Sequence, residues 1–98
     1  MLDGTYKIHM ETPIGRKKGK LYLKTEGDKF MSCVEAPILG RQFFEWKPDG
    51  DTFTGDGEFE LFLVGDINFT VEGSVNGDEV QCTLDTNKGP FVIEGTRV

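Results

Sequence analysis

Turn chemistry constrains this chain more than any other feature. Glu26-Gly27-Asp28-Lys29, Asp49-Gly50-Asp51 and Asn76-Gly77-Asp78 are tight-turn sequences, in which glycine supplies positive φ and Asn or Asp tolerates it. Between them lies a second class of turn: Pro13-Ile14-Gly15 running on to Gly19, Pro37-Ile38-Leu39-Gly40, Leu63-Val64-Gly65-Asp66 and Asn87-Lys88-Gly89-Pro90. The two classes alternate, and the seven turns cut the chain into eight candidate strands. No window combines i, i+3, i+4, i+7 apolar spacing with a capping signal, so helix has no competitive segment.

The segments between turns follow a period of two, the mark of half-buried strands. Tyr6, Ile8 and Met10 share one face of the first, with Lys7, His9 and Glu11 on the other. Leu21 and Leu23 alternate with Lys20, Tyr22 and Lys24, and Phe30, Ser32 and Val34 oppose Met31, Cys33 and Glu35. The fourth, near Arg41 to Lys47, carries Phe43, Phe44 and Trp46, and its parity is open because two consecutive phenylalanines cannot face one side of a regular strand. Phe53, Gly55, Gly57, Phe59 and Leu61 share the next face; Ile67, Phe69, Val71 and Val75 follow, then Val80, Cys82 and Leu84, and finally Phe91 and Ile93. The expected fold is all-β, an eight-stranded antiparallel up-and-down meander forming one domain over residues 1–98. It buries one face either by closing into a barrel or as a half-barrel packed on a second copy. Gly55, Gly57, Gly73 and Gly95 fall inside strand patterns, where glycine lets a small sheet curl.

Composition narrows the function classes. Seventeen acids against eleven bases give a net charge of −6 over 98 residues, the wrong sign for a free-standing nucleic-acid binder. No stretch approaches the roughly 20 apolar residues of a membrane-spanning helix, and Met1 leads into polar sequence without a signal-peptide core. The expectation is a cytoplasmic protein with neither nucleic-acid nor membrane partners. Cys33 and Cys82 are then expected to remain reduced, as small buried or half-buried thiols. With His9 the only histidine and no CxxC, no zinc site or other cofactor is expected.

The two ends of the chain resemble a known family. Gly4-Thr5-Tyr6 opens the first strand and Gly95-Thr96-Arg97 closes the last. This is similar to the lipocalin-like, or calycin-type, β-barrels, which begin with Gly-x-Trp and carry an arginine on the final strand. Tyr6 stands where that family has tryptophan. The phrases Gly77-Asp78-Glu79-Val80 and Phe91-Val92-Ile93-Glu94-Gly95-Thr96-Arg97 also look like a group of compact bacterial lipocalin-like or half-barrel proteins of uncharacterised function. The resemblance implies a barrel-closure set of Gly4, Tyr6 and Arg97, with the arginine stacked over the aromatic ring.

In a meander, alternate hairpins share an end. The Gly-Asp turns therefore gather at one end, and the Pro/Gly turns at the other. The latter collects Pro13, Ile14, Pro37, Ile38, Leu39, Leu63, Val64 and Pro90, unusually apolar for turns, beside Arg16, Lys17, Lys18 and Arg41. Without Arg16, Lys17 and Lys18 the rest of the chain carries −9, three below the whole chain's −6. An apolar rim beside a basic cluster suits an anionic amphiphile or a self-association surface. The expected ligand-binding residues are Tyr6, Arg16, Lys17, Lys18, Ile38, Leu39, Arg41, Phe44, Trp46 and Val64. Catalysis is not expected: His9 stands among charged neighbours, Asp56, Glu58 and Glu60 read as a solvated acidic stripe, and Ser32 and Ser74 lack a nucleophile-elbow context. The function expected is non-enzymatic binding of a small apolar or anionic amphiphilic ligand. The alternative is a homo-oligomeric accessory protein, a dimer by default symmetry, that uses Phe43 or Phe44, Tyr22, Met31 and Phe62 for contact.

Overall fold

A computed structural model describes residues 2–13, 15–37, 39–61 and 63–98. Ile14, Ile38 and Phe62, singled out above, lie outside the described residues. Eight strands run in order: β1 Gly4–Thr12, β2 Gly15–Glu26, β3 Lys29–Ala36, β4 Gly40–Asp49, β5 Thr52–Leu61, β6 Gly65–Asn76, β7 Glu79–Thr86 and β8 Gly89–Arg97. Each pairs antiparallel with the next, and β1 also pairs with β8 from Tyr6 opposite Arg97 to Glu11 opposite Val92. The sheet therefore closes on itself as an up-and-down barrel, with the Gly-Asp turns at one end and the Pro/Gly turns at the other. Closure corrects the half-barrel alternative: the polar edges of β1 and β8 satisfy each other, where an open sheet would leave both unpaired.

Inward positions alternate as the sequence pattern requires. Tyr6, Ile8, Met10, Leu21, Leu23, Phe30, Val34, Phe53, Ile67, Phe69, Val71, Val80, Leu84, Phe91 and Ile93 are all buried in one core. The parity of β4 is settled in favour of Phe44 and Trp46 facing inward, which leaves Phe43 outward and 66% exposed. Cys33 and Cys82 are both free and buried. Cys82 sits inside the barrel, where burial pushes its thiol pKa up to about 12. Cys33 lies on the outer wall, between its ladder neighbours Tyr22 and Phe43.

One junction in the wall differs from the others. β4 and β5 pair only at Lys47–Thr54, Pro48–Phe53 and Asp49–Thr52, beside their connecting turn, whereas β5 pairs with β6 along its whole length. Where the β4–β5 ladder stops, the aromatic rings of β4 lie against glycines of β5. A Cβ on Gly55 would fall 2.2 Å from Trp46 Cδ1, and one on Gly57 would fall 2.7 Å from Phe44 Cδ1. The two glycines thus make room for two large rings, and the wall is closed there by side-chain packing instead of backbone hydrogen bonds. We call this junction the seam.

Candidate functional site

Beside the seam, the interior is an aromatic stack. Phe44 and Trp46 lie nearly parallel, with centroids 5.7 Å apart and planes 5° apart; Trp46 and Phe53 follow at 5.5 Å and 4°. Phe69 meets Phe44 and Trp46 edge-on at 5.1 and 6.4 Å. Such pairs contribute about 0.5–1.5 kcal/mol each beyond burial. Above the stack, toward the Pro/Gly end, Met10, Leu39, Phe59 and Phe91 enclose a cavity of about 10 Å³, room for roughly one water. An eight-stranded barrel of this kind is filled by its own side chains.

The polar groups on that cavity are few. Gln42 turns inward and donates from Nε2 to the Leu39 carbonyl at 3.0 Å, which holds the β3–β4 turn over the cavity. Outside the cavity lining, Ser32, buried on β3, donates its hydroxyl to the Phe44 carbonyl at 3.2 Å and fixes β4 at that point. The second polar group on the cavity is the indole of Trp46. Its Nε1 is buried and has no hydrogen-bond partner among the described residues, and its residue is only 3% exposed. A buried donor left unpaired costs about 1–3 kcal/mol.

The residues expected from sequence to bind ligand do not all converge. Leu39, Phe44 and Trp46 line the cavity, and Val64 packs against the same core from the neighbouring turn. Lys17 has the inward parity of β2, opposite Met10, and stands half-buried at the rim. Arg16, Lys18 and Arg41 are on the outer wall instead: Arg16 meets Glu11 at 3.4 Å, and Arg41 meets Glu35 at 2.5 Å. The Arg41 guanidinium holds the Glu35 carboxyl below the usual carboxylate range. Of the basic group, only Lys17 has inward parity. Ile38 lies outside the described residues.

Tyr6 belongs to the opposite end. Arg97 Nη2 donates to the Tyr6 hydroxyl at 2.8 Å, the hydroxyl donates to the Leu2 carbonyl at 2.6 Å, and the guanidinium carbon stands 5.2 Å from the Tyr6 ring centroid. Gly4 leaves the space this needs, since a Cβ there would sit 3.0 Å from Arg97 Nε. Gly4, Tyr6 and Arg97 thus plug the Gly-Asp end, and Asp78 extends the group at 3.9 Å from Arg97.

Sequence reasoning missed Gln42, Phe59 and Phe69 as cavity-lining residues. For the seam, though not for these three residues, a signal was present: continuing the Lys47–Thr54 register sets Trp46 across from Gly55 and Phe44 across from Gly57, an aromatic-on-glycine pairing that marks close side-chain packing. No protein-family model matches the chain, and no curated protein is significantly similar to it.

Proposed function

We propose that this protein is a non-enzymatic, lipocalin-like binder of one small apolar or anionic amphiphilic ligand, held at the Pro/Gly end of the barrel. The observation that carries this reading is the indole N–H of Trp46, without a partner among the described residues and buried in a mostly apolar, aromatic wall. Small-molecule sites are mostly apolar with a few placed polar groups, and Gln42 with Trp46 makes such a set. A ligand acceptor on Nε1 removes the cost of the orphan donor. The anionic group of the ligand stays at the rim beside Lys17, while its apolar part displaces Leu39 and Val64 from the mouth.

Two further features support this location. The seam is the part of the wall with the fewest backbone bonds, so it is where the barrel yields at least cost. Leu63, at the mouth, is 90% exposed and holds a positive φ of 71°, a conformation leucine adopts only at a cost. An exposed, strained apolar side chain at the cavity's end of the barrel suits contact with a ligand.

Native mass spectrometry of freshly purified protein tests the reading. The expected result is a reproducible one-to-one adduct that is lost on denaturation and weakened by Trp46→Phe. A chain that is always bare, whether purified alone or incubated with fatty-acid and aromatic-carboxylate mixtures, overturns it. The second reading, a homo-oligomeric accessory protein, is favoured by Phe43, which is exposed on the outer wall next to half-buried Tyr22 and Met31. A two-fold axis near Phe43 brings Arg41 of each copy toward Glu45 of the other, since the two flank Phe43 at equal spacing. That reading predicts a mass of two chains in solution, reduced to one by Phe43→Ser.

A further inference from the structure

The outer wall carries opposite charge on its two halves. Residues 1–49, which supply β1–β4, hold nine bases and seven acids, for +2; residues 50–98 hold two bases and ten acids, for −8. Within the basic half, β1 and β2 set Lys7 directly opposite Lys20, and His9 opposite Lys18. Like charges directly opposed across antiparallel strands, as Lys7 and Lys20 are, weaken the pairing. Elsewhere on β1–β4 acids answer bases, as Glu11 does Arg16 and Glu35 does Arg41. No carboxylate among the described residues comes within ion-pair distance of Lys7, Lys18 or Lys20. Glu35, the β3 neighbour of Lys20, is engaged by Arg41 and by the Tyr22 hydroxyl at 3.3 Å.

These lysines rim a groove of about 570 Å³ on the outside of the barrel, floored by Gly19, Ala36 and Pro37, with Glu35, held by Arg41, as the carboxylate on its wall. The groove follows from a close approach of strands: a Cβ on Gly19 would fall 2.4 Å from the Glu35 carbonyl oxygen, so only glycine lets β3 lie this near β2. We propose that this groove binds a small polyanion of the phosphate-ester or pyrophosphate class. Its size falls within the range of small-molecule sites, and lysine ammonium groups are effective point-charge partners of phosphate. A dianion between Lys7 and Lys20 turns their mutual repulsion into shared attraction. On the far side of β1, a second groove carries Glu79 and Glu94, which repel an extended polyanion and restrict the occupant to one the size of the basic groove. This site lies outside the wall, and its occupancy is independent of the ligand at the mouth.

The experiment is a titration of the full chain with inorganic pyrophosphate, followed in ¹H–¹⁵N spectra at low and moderate salt. Saturable shifts are expected at the amides of residues 7, 18–20 and 36, weakening with salt. Lys7→Ser with Lys20→Ser should reduce affinity by about tenfold or more, while Lys24→Ser with Lys29→Ser leaves it unchanged. Lys7→Ser alone should also raise thermal stability, a readout of the like-charge pair that needs no ligand. Absence of saturable shifts at millimolar pyrophosphate overturns the proposal. So does an equal loss in the Lys24/Lys29 variant, or the same amides shifting on dilution of the protein alone, which would mean that a second copy occupies the groove.

Discussion

At Leu63 the backbone has a φ of 71°, in the left-handed region where a β-carbon costs about 1–2 kcal/mol. The Val64 amide donates to the Leu61 carbonyl at 3.0 Å across this turn, in a geometry that favours glycine at the Leu63 position. Leu63→Gly is therefore expected to stabilise the fold by up to about 1 kcal/mol in urea denaturation while weakening ligand binding at the mouth. The opposite end gives the reverse result. Arg97→Ala removes the hydrogen bond to Tyr6 and the stacking on its ring, and should cost about 1–3 kcal/mol. Combined with Tyr6→Phe, the double-mutant cycle should show a coupling of about 1 kcal/mol; strict additivity would mean that the two side chains do not act together.

The strands differ in how firmly they are held. β5 pairs fully with β6 yet meets β4 only beside their turn, so amides of residues 41–45 and 56–60 that face the seam should exchange with solvent faster than those of β6 and β7. Uniform protection around the barrel would contradict this account of the seam. Gly55→Ala would press a methyl into the Trp46 ring and is expected to destabilise by about 1–3 kcal/mol. Much of this scale was legible in the sequence. β6 alternates cleanly from Ile67 to Val71, and the turn signals placed the strand boundaries, because both depend on local chemistry. β4 was not legible. Gln42 points inward and Phe43 outward, against their polarity: Gln42 bonds back to the Leu39 carbonyl of its own turn, and Phe43 stands across the ladder from Cys33 of β3. Closure was legible only through the resemblance of the chain ends, Tyr6 and Arg97, since a period of two assigns faces but says nothing about whether β1 and β8 meet. The basic residues at the Pro/Gly end were legible as a cluster, but their parity splits them, with Lys17 inside and Arg16, Lys18 and Arg41 outside.

At the scale of the molecule, closure hides Cys82 and ties stability to pH. Its pKa rises from 9.0 to about 12 on folding, so the folded state keeps a proton that the unfolded chain releases. That contribution is fully present below pH 9.0 and is lost as pH rises from there toward about 12, at up to about 1.4 kcal/mol per pH unit. Cys82→Ala should show a shallower decline across this window than the parent protein; equal slopes would show that the thiol does not titrate in this way. The central claim is that a small ligand is held against the aromatic wall with the Trp46 indole as its donor. The chain has one tryptophan, so its indole N–H gives a single resolved ¹H–¹⁵N signal. Titration with the anionic aromatic probe anilinonaphthalene sulfonate tests the claim most directly. The account predicts a saturable one-to-one shift of that signal, abolished by Leu39→Asp at the mouth. An indole signal that stays fixed while the probe binds elsewhere, or does not bind at all, would contradict it.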